Sequence, residues 1–217
     1  MSESLYLSRL VLEPRCRRVQ RELADPYELH RTIMRAFGDS CRQHGERVLF
    51  RVDPVCDGMA VVVLVQSLAE PDWGFLRAEP GARGYLAESW GENPAIKRFT
   101  PQFSAGQALA FRLRANPTVR RRGKRLGLYR EEQQLAWLRR KGQAAGFALL
   151  QVRVRKEDVV GGTIYRAEVA HRLRLVSVCF DGYLRVQDPG CLEAAVAAGI
   201  GPGKGFGFGL LSLARAQ

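Results

Sequence analysis

The chain has 217 residues, 46% hydrophobic and 26% charged, enough for one sizeable core or two of about 100 residues each. Its longest apolar run, MAVVVLV at 59–65, is far short of the ~20 residues that span a bilayer. The net charge of +12 is uneven, with Lys and Arg against Asp and Glu standing at 14 to 14 over residues 1–110 and 20 to 8 over 111–217, so the second half is expected to meet a polyanion.

Residues 5–12, LYLSRLVL, alternate and are rich in Leu, Val and Tyr, which predicts a strand. PRCRRVQRE then reads as a short basic turn. Asp25 caps a helix that has Pro26 at its first position and Glu28 three residues on, and the helix is expected to run to about His44. RVLFRVD (47–53) and MAVVVLVQSL (59–68) follow as strands. After a loop-like region carrying Trp73, Gly81 and Gly84 comes LAFRLRA (109–115), a last strand for this half.

The second half restarts with a helix, YREEQQLAWLRRKGQAAG. ALLQVRVRKE, IYRAEVAHRLRLVSVCF and YLRVQD are strand candidates, CLEAAVAAG a helix and GLLSLA a final strand. Both halves fit the split β-α-β, ferredoxin-like arrangement. The expected architecture is α+β, with two tandem ferredoxin-like (RRM-like) βαββαβ domains over residues 1–118 and 119–217, joined near 116–124.

In the first-half helix, Leu29, Ile33, Ala36, Phe37 and Ser40 share one side at 3.6-residue spacing and predict the buried stripe. Glu28, Thr32, Arg35 and Asp39 lie opposite. Tyr27 and His30 sit on the flank, three residues apart and side by side, with Arg31 one turn beyond Tyr27. A ring at such a boundary is either a half-buried structural histidine or one held by packing while a nitrogen reaches a ligand. The three histidines are scattered, so no metal centre is expected. Cys16, Cys41, Cys56, Cys179 and Cys191 are odd in number and lack CxxC spacing, which fits reduced thiols. The N-terminal MSESLYLSRLVLEPRC has no basic patch ahead of its apolar stretch, so a cytoplasmic protein is expected, with no membrane partner.

RLRANPTVRRRGKRLGLYR (112–130) carries eight basic residues and no acidic one. Ordinary solvated faces mix signs, so Arg112, Arg114, Arg120, Arg121, Arg122, Lys124 and Arg125 are candidate contacts to an anion. Arginine dominates, which suits bidentate contacts to phosphates of structured RNA. Arg153, Arg155 and Lys156 form a second cluster on a predicted strand.

The stretch GIGPGKGFGFGLLSL fails as a Walker A loop because Gly205, not Ser or Thr, follows Lys204. It fails as a dinucleotide fingerprint because its glycines follow a helix and precede a strand. KGFGFGLL departs from the RNP1 pattern at Gly209 and Leu211. No nucleotide cofactor is therefore expected. What survives is a flexible loop whose bare backbone approaches RNA at Gly201, Gly203 and Gly205, with Lys204 adding charge.

Taken in order, LADPYELHR, FRLRANPT, YLRVQDP and GIGPGKGFGFGLLSL resemble the CasE family, the CRISPR-associated endoribonucleases of type I-E systems. The resemblance spans nearly the whole chain. It implies tandem ferredoxin-like domains and cleavage of precursor CRISPR RNA at the 3′ base of each repeat hairpin. It also implies continued attachment to the guide RNA beside the other subunits of a type I-E interference complex. Through DPYELHR it implies catalytic roles for Tyr27 and His30, with Arg31 or a second-half cation as the phosphate clamp. The competing expectation is a non-catalytic protein that binds structured RNA.

Overall fold

The computed structural model of the chain describes residues 3–38, 47–54, 59–166 and 169–216. The expected helix end near His44, Ser40, Cys41 and Cys56 lie outside them.

Strand β1 (Leu5–Leu12) is followed by helices α1 (Arg17–Ala24) and α2 (Pro26–Met34), then β2 (Leu49–Pro54) and β3 (Val61–Ser67). A single helical turn, α3 (Phe75–Ala78), and two 3₁₀ turns lead to β4 (Ala95–Phe99). The sheet order is β2-β3-β1-β4 with every neighbour antiparallel, which is the ferredoxin-like order with its second helix reduced to turns. One face of this sheet offers Leu10, Leu12, Phe50, Val63 and Val65 to Val19 of α1 and to Leu29 and Ile33 of α2. Ala36 and Phe37, just past α2, complete this core, so the helical stripe read from the sequence is buried over its described part, and Thr32, expected on the opposite side, is buried as well because it faces α1.

The second half repeats the plan. Strand β5 (Ala108–Ala115), hairpin β6 (Thr118–Arg121) and β7 (Lys124–Gly127), helix α4 (Glu131–Ala144), strand β8 (Phe147–Lys156) and hairpin β9 (Val160–Arg166) and β10 (Val169–Leu175) come first. Strand β11 (Val178–Val186), helix α5 (Pro189–Ala198) and strand β12 (Leu211–Arg215) follow. The order β12-β5-β11-β8 is again antiparallel throughout. Its core holds Phe111, Leu113, Trp137, Phe147, Phe180 and Leu192, and Leu5 of β1 reaches into it. Gln66 of β3 donates to the Val196 carbonyl at 2.7 Å, and Arg51 of β2 donates to Ser212 Oγ at 2.9 Å, so the outer face of the first sheet rests on α5 and β12.

The structure corrects several sequence expectations. The run at 17–24 is helix α1, because Val19 and Glu22 turn inward one turn apart while Arg17 and Arg21 stay in water; a helix burying one apolar residue leaves little periodicity to read. The strand at 108–115 does not close the first sheet but sits between β11 and β12 in the second. The first sheet is closed by β4, an edge strand so exposed that it shows no alternation, and the change of sheet falls between Phe99 and Ala108 rather than at 116–124. The long run IYRAEVAHRLRLVSVCF is divided, its first part belonging to the separate β9–β10 hairpin and its end to β11. Strand β11 then runs on through Gly182, where a Cβ would lie 2.0 Å from the Gln151 carbonyl; this glycine marks close strand approach beside a bulge, not a break.

Among the described residues no helix is long and apolar enough to cross a membrane. Cys16, Cys179 and Cys191 are free thiols.

Candidate active site

Helix α2 is fixed at its start by Asp25, whose side chain accepts the Tyr27 N–H at 3.0 Å, with Pro26 in the first turn. Asp25 also ends α1, so the two helices meet at one residue. A buried carboxylate locks them together. Glu22 of α1 accepts from Arg18 Nε at 2.8 Å, from Thr32 Oγ1 of α2 at 2.8 Å and from the Tyr85 hydroxyl at 2.6 Å. With its side chain only 3% exposed, Glu22 satisfies the rule that a buried charge is paired and hydrogen-bonded. Burial, and then the neighbouring Glu22 charge, push the Tyr85 hydroxyl far above its ordinary range.

Between α1 and α2 lies a cleft of about 1070 Å³. Tyr27, His30 and Arg31 all line it, so the structure brings together the three residues read from the sequence as a chemical group. Arg17, Arg18, Arg21 and Arg35 line it too, and sequence reasoning missed them. The balanced charge count over residues 1–110 concealed them, and the run RRVQR was the available signal, once taken as a helix with Arg17 and Arg21 on one face.

His30 is half-buried, with its ring roughly parallel to Phe50 of β2 at a centroid separation of 6.2 Å. Over the ring passes the glycine-rich segment. A Cβ on Gly205 would lie 3.7 Å from His30 Nε2 and 3.8 Å from Cδ2 and Cε1. The imidazole of the first domain is thus enclosed by a loop of the second. Arg31 Nη1 meets Glu28 at 3.0 Å in an exposed pair, weak enough for the guanidinium to turn to an anion.

The loop is not the flexible strap expected from its composition. Ile200 N donates to the Gly209 carbonyl at 2.8 Å, Phe206 N to Gly203 at 2.8 Å and Gly209 N to Arg114 at 2.8 Å. Gly201, at φ 86°, passes Trp137 so closely that a Cβ would lie 2.9 Å from the indole. Lys204 is also engaged, its ammonium donating to the Ala198 carbonyl at 2.6 Å at the C-terminal end of α5. Desolvation, with Arg47 and Lys141 near, holds the Lys204 pKa below its usual value.

The remaining basic candidates divide. Arg120, Arg121, Arg122, Lys124 and Arg125 all lie on the exposed β6–β7 hairpin, with Arg122 and Gly123 at positive φ at its tip. Arg112 pairs with Asp181, and the Asp181 hydrogen bond raises its pKa. Arg114 donates to Glu157 at 2.6 Å and lies over the Phe208 ring at 4.9 Å. Arg153 stands opposite Asp181 in the ladder, and Arg155 opposite Cys179. A second cleft, about 950 Å³, gathers Arg114, Arg155 and Lys156 with Phe206 of the loop, yet Asp53, Glu157 and Asp158 line it as well. Among the described residues no group of three His, Cys, Asp or Glu side chains is placed to hold a metal ion.

Fold and site together are those of a tandem ferredoxin-like protein with a histidine in a basic cleft. The chain belongs to the CRISPR associated protein family, whose model matches residues 5–215. It is 36% identical over 228 residues to the CRISPR-associated endoribonuclease Cse3 of Thermus thermophilus, covering 97% of this chain and 100% of that protein. The structure of Thermus thermophilus Cse3 bound to an RNA representing a pre-cleavage complex superimposes with a TM-score of 0.82 at 37% identity, over 98% of this chain and 100% of that one. The CRISPR-associated protein Cas6e of Escherichia coli K-12 gives a TM-score of 0.67 at 27% identity, over 97% and 100%.

Proposed function

We propose that the protein is an endoribonuclease that cleaves precursor CRISPR RNA at the 3′ base of the repeat hairpin without a metal ion. It stays on the mature guide RNA as a cytoplasmic subunit of a type I-E interference complex. The observation that carries this reading is the enclosed histidine. His30 stands in an arginine-lined cleft beside Tyr27, held between Phe50 and Gly205. The family and its relatives in RNA complexes support the substrate class.

RNA brings its own nucleophile. The 2′-OH loses its proton to a base and attacks the adjacent phosphorus; the P–O5′ bond breaks, and the departing 5′-oxygen takes a proton. The products are a 2′,3′-cyclic phosphate and a 5′-OH. The reaction needs a proton acceptor, a proton donor and positive charge on the phosphorane, and imidazole ordinarily titrates near neutrality. His30 serves as the acid or base, Tyr27 positions it or shares the proton transfer, and Arg31 clamps the phosphate. The hairpin cations Arg120 to Arg125 grip the stem, with Arg112, Arg114, Arg153, Arg155, Lys156 and the loop residues Gly201, Gly203, Lys204 and Gly205 as further RNA contacts. Of the two domains, the first is taken to end, and the second to begin, within residues 100–107.

The test is incubation of the protein and His30→Ala with a labelled repeat hairpin in EDTA, alongside a substrate with 2′-deoxyribose at the cleavage position. Cleavage by the native protein alone, lost with the deoxy substrate, bears the reading out. Tight binding without cleavage by either protein would replace it with a non-catalytic RNA-binding role.

A further inference from the structure

The α1–α2 cleft holds five guanidinium groups, and they are not equivalent. Arg18 is committed inward to Glu22 and Glu79, Arg35 pairs with Glu79, and Arg31 has only the weak exposed pair with Glu28 and is already assigned to the scissile phosphate. Arg17 and Arg21 have no carboxylate within ion-pair distance among the described residues, and both are exposed. They lie one turn apart on α1 and so share a face. The helix that carries them is braced, since Glu22 ties it to Thr32 of α2 and to Tyr85.

Two unneutralised guanidiniums on a fixed helix, at the rim of the cleft that holds His30, are suited to phosphates at backbone spacing. The cleft is also larger than one phosphate requires, at about 1070 Å³, and all of its lining comes from the first domain. The dense basic hairpin β6–β7, by contrast, belongs to the second domain. An RNA strand at His30 therefore meets in this cleft only cations of the first domain, and of these Arg17 and Arg21 alone have no carboxylate partner among the described residues.

We propose that Arg17 and Arg21 form a backbone-phosphate subsite for the unpaired strand adjoining the scissile phosphate. This rests on the endoribonuclease reading. The subsite contributes affinity and register and no proton transfer, and it reads charge and spacing, not base identity.

Two RNAs and two double variants of the full chain test it: the repeat hairpin with its single-stranded flanks, the same hairpin trimmed to its stem and loop, Arg17→Ala/Arg21→Ala, and Arg17→Lys/Arg21→Lys. The alanine pair should bind the flanked RNA about tenfold more weakly, and its log–log salt slope should fall by ~1.4, or ~0.7 for each lost single-strand contact. It should bind the trimmed RNA like the native protein, and the lysine pair should keep the native slope on both. Native affinity and slope of the alanine pair on flanked RNA would overturn the subsite while native cleavage left the enzyme reading intact. An equal loss on both RNAs would also overturn it, by assigning the arginines to the stem. Failure of the native protein to bind or cut the flanked repeat would bring down the enzyme reading and the subsite with it.

Discussion

Gly205 stands against His30 so closely that a Cβ on the glycine would lie 3.7 Å from the imidazole Nε2, although the two residues belong to different domains. That distance is ordinary van der Waals contact, and Gly205 has no positive φ to strain a side chain. Gly205→Ala should therefore cleave repeat RNA within a few-fold of native. Gly205→Val, whose branches would fill the space over the ring, should lose most cleavage, whereas hairpin affinity should fall only a few-fold because Gly205 is one RNA contact among many. Single-turnover rates paired with filter binding check both.

His30→Ala should lower the single-turnover cleavage rate by ~10² to 10⁴, the usual worth of one proton-transfer role. The hairpin dissociation constant should stay within a few-fold, because phosphate contacts elsewhere supply the affinity. Tyr27→Phe separates hydroxyl chemistry from ring packing. A fall in rate without a fall in binding would place the hydroxyl at the reaction.

Neutralising Arg120, Arg121 and Arg122 together should weaken hairpin binding and flatten its salt dependence by ~0.9 for each lost duplex contact. Arg112→Gln should do less, since its guanidinium already pairs with Asp181, and Arg114→Gln likewise beside Glu157. Salt titrations of the three variants on one RNA rank them. Equal effects would mean that the ion pairs open when RNA binds.

Glu22→Gln keeps shape but turns an amide N–H₂ toward a cluster of donors, Arg18, Thr32 and Tyr85. It should cost about 1–3 kcal/mol in urea unfolding, the penalty for leaving buried polar groups unsatisfied.

Tyr85 adds an alkaline limb. Its folded pKa lies above the unfolded value of about 10. Below pH 10 both states hold the proton and its contribution is complete; above it the unfolded chain ionises first and stability falls with rising pH. Urea midpoints measured from pH 8 to 11 should fall more steeply for the native protein than for Tyr85→Phe.

Much of this was legible in the sequence, and the failures have physical causes. The Asp25–Pro26 start of α2 and the stripe at Leu29 and Ile33 were readable because capping and periodicity are local. The joint position of Tyr27, His30 and Arg31 followed from helix spacing alone. Strand β5 was readable as a strand but not as a member of the second sheet, because alternation reports burial and carries no information about partners. The arginines of α1 were hidden by a charge balance that averages over residues far apart in space. Glycines suggested pliancy at 199–209, whereas several are there because Trp137, Phe50 and His30 leave no room for a side chain or lie in contact with one.

The partnership of Gly205 with His30 also sets an order of events during synthesis. The histidine leaves the ribosome early, and the glycine that covers it emerges only after most of the second sheet. Strand β5 gains its neighbour β11 shortly before that glycine emerges and β12 only after it. A nascent chain that has completed only its first domain thus carries an imidazole without its cover. A product truncated ahead of Gly205 would keep the helix of Tyr27 and His30 but lack the loop that lies against the imidazole, and on the proposed role of His30 it would cut poorly.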